Sequence, residues 1–248
     1  MSRALRFPRL PEGPVSLVLA SGEFSWLHHA LCREGVQVLQ TARDIRLPQP
    51  VGFHPDLQVC PLPKKQMFVL KGNGLLDRLQ GTGLHLQETN QVPGSCYPKD
   101  VLCEGLAWGS WLIGNTKGMD PSIQQAAQQL GCKILPVRQG YCACSVALVD
   151  QRSCITADPG LERILTQVGF DVLLIEAGFI QLPGYDTGFI GGCCGKLAPD
   201  KLAFTGSLKN HPSGTRIQTF LRQHGVTPLE LCQGPLIDVG GIIPLAEF

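Results

Sequence analysis

The stretch CSVALVDQRSCITADPGLERILTQVGFDVLLI, residues 144–175, reads as two short apolar strands, a helix and a third strand. The runs CSVALV and CIT are separated by the polar turn DQRS, as in a hairpin. Asp158-Pro159 then places an N-cap acceptor before a proline at the first helical position, where the missing N–H costs nothing. The amphipathic run that follows stops at Gly169, a residue that takes the left-handed conformation past a helix end without steric penalty. FDVLLI continues at once with the period of a strand.

This unit recurs. HALCREGVQVL, LDRLQGTGLHL, AAQQLGCKILPV, ILTQVGFDVLLI and FLRQHGVTPLEL each pair an amphipathic stretch, ended by Gly, with a short apolar strand. The stops are Gly35, Gly83, Gly131, Gly169 and Gly225, spaced 48, 48, 38 and 56 residues apart. Asp120-Pro121 repeats the helix start of Asp158-Pro159, and Ser21 and His211-Pro212-Ser213 are looser versions of it. Apolar strand pairs precede the helices: LQVCPL and QMFVL, VLCEGLAW and WLIG, CSVALV and CIT, GFIGGCC and KLAFTG. The N-terminal copy, VSLVLASGEFSWLHHALCREGVQVL, has one strand before its helix, and the C-terminal LIDVGGIIPL has a strand with no helix after it. The two halves complete each other, so strand 237–243 is predicted to pair beside strand 15–20.

The expected architecture is one α/β propeller domain over residues 1–248, with five strand-strand-helix-strand units closed by the termini. The units span about 14–42 plus 236–246, 52–88, 100–138, 141–176 and 186–233. Closing a ring in this way removes exposed sheet edges. A doubly wound α/β sheet is the alternative, and the paired strands ahead of each helix count against it.

Composition narrows the function class. With 21 Lys+Arg against 20 Asp+Glu and a net charge of +1, no charge excess singles out a nucleic acid or a membrane surface as partner. The 29 Gly and 19 Pro, about a fifth of the chain, imply many tight turns, and the 44% hydrophobic content excludes a disordered or collagen-like chain. No run reaches the roughly 18 apolar residues of a membrane span, and MSRALRFPRLPEGP lacks the apolar core of a signal peptide. With an odd eleven cysteines in a chain of this length, reduced thiols and a cytoplasmic location are expected.

Five such units closed by the termini resemble the pentein fold, the α/β-propeller of guanidino-group-modifying enzymes: arginine deiminases, amidinotransferases and dimethylarginine hydrolases. PGYDTGFIGG (183–192), ITADPGLERIL (155–165) and DVGGIIPL (238–245) also look like an uncharacterised group of bacterial proteins assigned to that fold. The resemblance implies, for an enzyme, a Cys thiolate attacking a guanidinium carbon, a His as acid and base, and carboxylates holding the cation at the propeller axis. The usual nucleophile comes from the closing strand, which here reads Asp238-Val239-Gly240-Gly241-Ile242-Ile243-Pro244 and holds no cysteine. The family's His-x-Asp position reads Gly184-Tyr185-Asp186, keeping only the Asp.

The start of each first strand is the place that faces the axis in this architecture. Those positions read His54-Pro55-Asp56, Pro98-Lys99-Asp100, Tyr141-Cys142-Ala143-Cys144, Tyr185-Asp186 and Ile237-Asp238. Asp56, Asp100, Asp186 and Asp238 thus form an expected acidic mouth suited to a cation, their mutual repulsion raising some of their pKa values. Asp residues that accept backbone N–H bonds in turns are the structural alternative. Gly192 would let backbone or ligand approach closely. His54 is the candidate proton carrier, because an Asp two residues on can orient an imidazole. Cys144, in a C-x-C at the start of a strand with both side chains on one face, is the candidate nucleophile.

Neither a cofactor nor a metal is expected. No G-x-G-x-x-G follows a strand, Gly191–Lys196 fails as a phosphate loop, and no zinc-ligand spacing accompanies the C-x-C. The expected function is a protein that binds a small cationic, guanidino- or amidino-like molecule at the axis, and any enzyme activity would be of guanidino hydrolase or transferase type. The alternative is a non-catalytic pentein scaffold or a protein- or ribosome-binding module.

Overall fold

The computed structural model describes residues 2–248. In chain order the elements are β1 (Arg3–Ala4), β2 (Val15–Ser21), α1 (Ser25–Arg33) and β3 (Gln37–Thr41), then α2 (Pro55–Gln58), β4 (Val59–Pro61), β5 (Gln66–Val69), α3 (Leu75–Arg78) and β6 (His85–Glu88). The third group is β7 (Leu106–Trp108), β8 (Trp111–Gly114), α4 (Pro121–Gln129) and β9 (Lys133–Pro136). The fourth is α5 (Cys142–Ser145), β10 (Val146–Leu148), β11 (Ser153–Thr156), α6 (Pro159–Gln167) and β12 (Asp171–Leu174). Last come β13 (Cys194–Ala198), β14 (Lys201–Phe204), α7 (Gly214–Gln223), β15 (Thr227–Glu230) and β16 (Ile243–Glu247).

Five small sheets result, and all follow one rule: the first strand is antiparallel to the second, and the second is parallel to the third across a helix. In the N-terminal sheet the order is β1-β16-β2-β3, so the chain's last strand supplies the first strand that β2 lacks. The pairing is in register at Ile243↔Leu19 and Pro244↔Val18. The strand begins at Ile243 rather than at residue 237, because Asp238–Ile242 form a turn with left-handed Gly240 and Gly241. Buried Glu247 fixes the junction: its carboxylate accepts the N–H groups of Glu12 (2.6 Å) and Gly13 (2.9 Å) and pairs with Arg3 at 3.1 Å.

Burial falls from the first strand of each unit to the third. β4, β7 and β10 are buried throughout, whereas β6, β9, β12 and β15 are mostly half-buried or exposed. The helices cover the sheets with apolar residues at helical spacing, Leu161 and Leu165 on α6 and Ile217, Phe220 and Leu221 on α7. Neighbouring units touch in sequence: α2 lies on β2, β4 on β7, α5 on β8, β10 on β13, and β13 on β16.

The predicted helix punctuation holds with three exceptions, the first being the second unit, where α3 ends at Arg78 and Gly83 lies in the turn beyond it. Gly35, Gly83, Gly131, Gly169 and Gly225 all have positive φ. Asp158 accepts from Gly160 (2.7 Å) and Leu161 (3.0 Å), and Asp120 from Ser122 at 2.9 Å. At α1 the cap position is Phe24 with no side-chain cap, and at α7 Ser213 holds that position but spends its hydroxyl on the N–H of Glu176. Among the described residues no helix is long and apolar enough to cross a membrane, and all eleven cysteines are free.

Candidate functional site

In most units the first strand is preceded by one tight helical turn: α2 before β4, α5 before β10, and a 3₁₀ turn at Gly191–Cys193 before β13. This corrects two expectations. The C-x-C lies on a helical turn, not a strand, so its cysteines do not share a face. Cys142 packs in the apolar core with Leu106 and Trp108, while Cys144 turns to the carboxylates. Likewise Gly191–Cys193 is not strand, and β13 begins at Cys194.

Cys144 Sγ lies 2.9 Å from Asp56 Oδ2 and 2.8 Å from Glu104 Oε1. Glu104 stands just ahead of β7, and its Oε2 accepts the backbone N–H of Ala143 (2.7 Å) and of Cys144 (3.3 Å). All three side chains are buried. A thiol carries one proton, so two such contacts need a second proton, and Glu104 is the group to hold it. Burial, and then the negative charge of Asp56, push Glu104 up to about 8, above neutral pH. Sγ is placed to donate to Asp56 Oδ2 and to Glu104 Oε1, and with one thiol proton for two contacts the proton on Glu104 serves the second. Burial first, then Asp56, Glu104 and Asp238, push the Cys144 thiol well above its ordinary range. The same three groups place one donor atom each within 4.8 Å of one another and would be the ligands if a metal ion bound here.

Asp238 occupies the turn after Ile237. Its carboxylate accepts from Phe189 N (2.8 Å) and Gly240 N (3.0 Å), and Oδ1 is 3.7 Å from His54 Nδ1. Burial raises its pKa, and the nearby His54 opposes that rise. The turn packs too closely for side chains. A Cβ on Gly240, which has φ +78°, would strike the backbone and ring of His54, and one on Gly192 would overlap the Asp238 carboxylate. The Gly192 carbonyl accepts from Val239 N (2.9 Å) and Gly241 N (2.8 Å), which locks the turn onto the fifth unit.

Asp100 is buried and accepts from the hydroxyl of Tyr141 at 2.5 Å. Burial and that bond raise the tyrosine's pKa. Asp56 Oδ1 and Asp100 Oδ1 are buried with no hydrogen-bond partner among the described residues. From the opposite side Arg9, at φ +61°, brings its guanidinium to Gly241, and its field partly offsets the rise at Glu104.

A cavity of about 120 Å³ opens above these groups. Tyr141, Tyr185 and Phe189 form aromatic walls, His54, Cys144 and Asp238 supply the polar lining, and Val51, Leu57 and Leu182 complete it. The rings of Tyr141 and Phe189 are stacked with centroids 5.8 Å apart.

The structure thus brings His54, Asp56, Cys144, Gly192 and Asp238 together, with Asp100 behind Tyr141. Asp186 stands apart: it is exposed on the loop beside Tyr185, because the first strand of its unit starts at Cys194 and not near Tyr185. Sequence reasoning missed Glu104, Tyr141 and Phe189. Counting back from each first strand would have found them. Glu104 and Cys144 both sit two residues before it, and His54, Tyr141, Phe189 and Asp238 five residues before it.

Comparison with solved structures gives the fold. The inosamine-phosphate amidinotransferase of Streptomyces griseus matches with a TM-score of 0.58 at 12% identity, over 98% of this chain and 97% of that one. A mutant of the dimethylarginine dimethylaminohydrolase (DDAH) of Pseudomonas aeruginosa, complexed with citrulline, matches at 0.54 and 9%, over 92% and 96%. The agmatine deiminase of C. jejuni matches at 0.55 and 9%, over 94% and 90%. These are pentein-fold guanidino-modifying enzymes, and the likeness shows that this chain shares their fold. No curated protein matches it in sequence. Residues 24–243 match the model of the family of unknown function DUF6873, and the chain belongs to that family.

Proposed function

We propose that the five units form one closed propeller domain and that the chain binds a small guanidinium- or amidinium-like cation at its axis. The unbroken series of contacts between neighbouring units, ending with β13 on β16, supports the ring. The observation that carries the ligand is the buried excess of carboxylate: Asp56, Asp100, Glu104 and Asp238 are each no more than 1% exposed. Two of their oxygens lack donors, and aromatic rings wall the cavity above them. Unpaired buried acceptors are costly, and a flat cation in the cavity would meet the Asp238 carboxylate with its N–H donors and offset the charge of the carboxylates behind the cavity wall. Solved relatives by fold include an enzyme complexed with citrulline and an agmatine deiminase.

The binding is non-covalent in this reading. The closing turn Asp238–Ile242 has no cysteine, and the Cys144 thiol, bonded to two carboxyl groups, is held protonated. A covalent route would need Cys144 as nucleophile with His54 as proton carrier; both line the cavity, but His54 is turned to Asp238. Eleven free cysteines fit a reducing compartment, and the cytoplasm is the proposed location. Calorimetry with n-propylguanidine tests the reading. Saturable binding is expected, and binding of inorganic phosphate in its place would overturn it.

A further inference from the structure

Resting on the cation reading above, we infer that the ligand is a compact cation that carries no carboxylate, so that the site selects against guanidino acids and arginine itself. A cavity of about 120 Å³ is close to the volume that holds a benzene-sized molecule. A guanidinium with a short alkyl tail fills it, the flat group lying against Tyr141 and Phe189. A longer tail leaves past Tyr185, which is 44% exposed and marks the mouth.

The charge of the lining sets the selection. Among the described residues no lysine or arginine lines the cavity. Asp238 lines it, and Asp56, Glu104 and Asp100 lie directly behind Cys144 and Tyr141. The one imidazole in the lining, His54, has its Nδ1 3.7 Å from the Asp238 carboxylate. A carboxylate at the end of such a tail would stand at the mouth, in the negative field and with no cationic partner among the lining residues. The same field attracts the guanidinium end.

The test compares n-propylguanidine with 4-guanidinobutyrate, which has the same guanidino group and carbon chain and differs by the carboxylate. Titration calorimetry should give a Kd at least about tenfold lower for n-propylguanidine. Tyr185→Arg, a change at an exposed position, places a cation at the mouth and should shrink that preference to about threefold or less. Equal or tighter binding of 4-guanidinobutyrate by the unmodified protein would overturn this inference and leave the cation reading standing. Binding of neither compound to folded protein would overturn both. A Co²⁺ titration that produces a thiolate charge-transfer band lost in Cys144→Ser would also overturn both, since a metal would then occupy the carboxylates.

Discussion

Replacing Glu104 with Gln measures the proton held in the buried cluster. Glu104→Gln preserves shape: the amide oxygen can accept from Ala143 N and Cys144 N as Oε2 does, and the amide nitrogen can donate where Oε1 now meets Sγ. What changes is the linkage to pH. In the unfolded chain a glutamate loses its proton near 4.5, whereas burial and then Asp56 hold Glu104 protonated up to about 8. Between those values the native state binds one proton more than the unfolded state, so stability falls as pH rises, and the fall is complete above about pH 8. A rise from 4.5 to about 8, at about 1.4 kcal/mol per pH unit, is about 5 kcal/mol. Because the proton is shared across the cluster with Asp56, the expected difference is about 2–5 kcal/mol. Urea unfolding of both proteins from pH 5 to pH 9 should give similar stability at pH 5 and a growing advantage for Glu104→Gln towards pH 9. Parallel curves, with the variant weaker at every pH, would refute the reasoning and make Glu104 an ionised partner in the resting protein.

Binding of n-propylguanidine should tighten from pH 6 to about pH 8 and then level off, because the bound cation favours ionised Glu104 and expels its proton; calorimetry in two buffers of different ionisation enthalpy would count that proton, and none released would refute the coupling. Gly192→Ala drives a methyl group into the Asp238 carboxylate and should lower stability by about 2–4 kcal/mol while abolishing cation binding; a variant that melts and binds like the parent would show that the turn has slack. Iodoacetamide at pH 7 should label exposed Cys96 and Cys32 at least about tenfold faster than buried, protonated Cys144, as read by peptide mass spectrometry; Cys144 labelled first would revive the covalent route.

The fold was legible because its punctuation is local. A glycine past the helix in four of the five units and an aspartate before a proline act through backbone geometry within a few residues, so they read directly from the chain, and the repeat multiplies each signal. The closing strand was legible for a different reason: β2 needs an antiparallel partner, and the C-terminal segment is the one apolar strand without a helix. The site was legible only in part, because the turns that enter the first strands are short helices whose sequences carry no helical signal. Pro55–Gln58 and Cys142–Ser145 are four residues each, too short for amphipathic periodicity. Anchoring the repeats on aspartate therefore put Asp186 in the frame and left Glu104 out.

That same short turn explains how a carboxylate and a thiol come to share protons. Positions two and three residues before the first strands hold Asp56, Glu104 and Cys144; helical backbone turns Asp56 and Cys144 inward, and Glu104 meets them from the irregular turn ahead of β7. Buried side by side, they cannot all ionise without a counter-cation. Arg9 offsets part of the charge from one side, and His54 approaches only Asp238. The remaining imbalance is met at rest by the proton on Glu104, which a bound guanidinium would displace. The stability lost to holding that proton above pH 5 is therefore available to ligand binding, and Glu104→Gln should gain the first at the expense of the second.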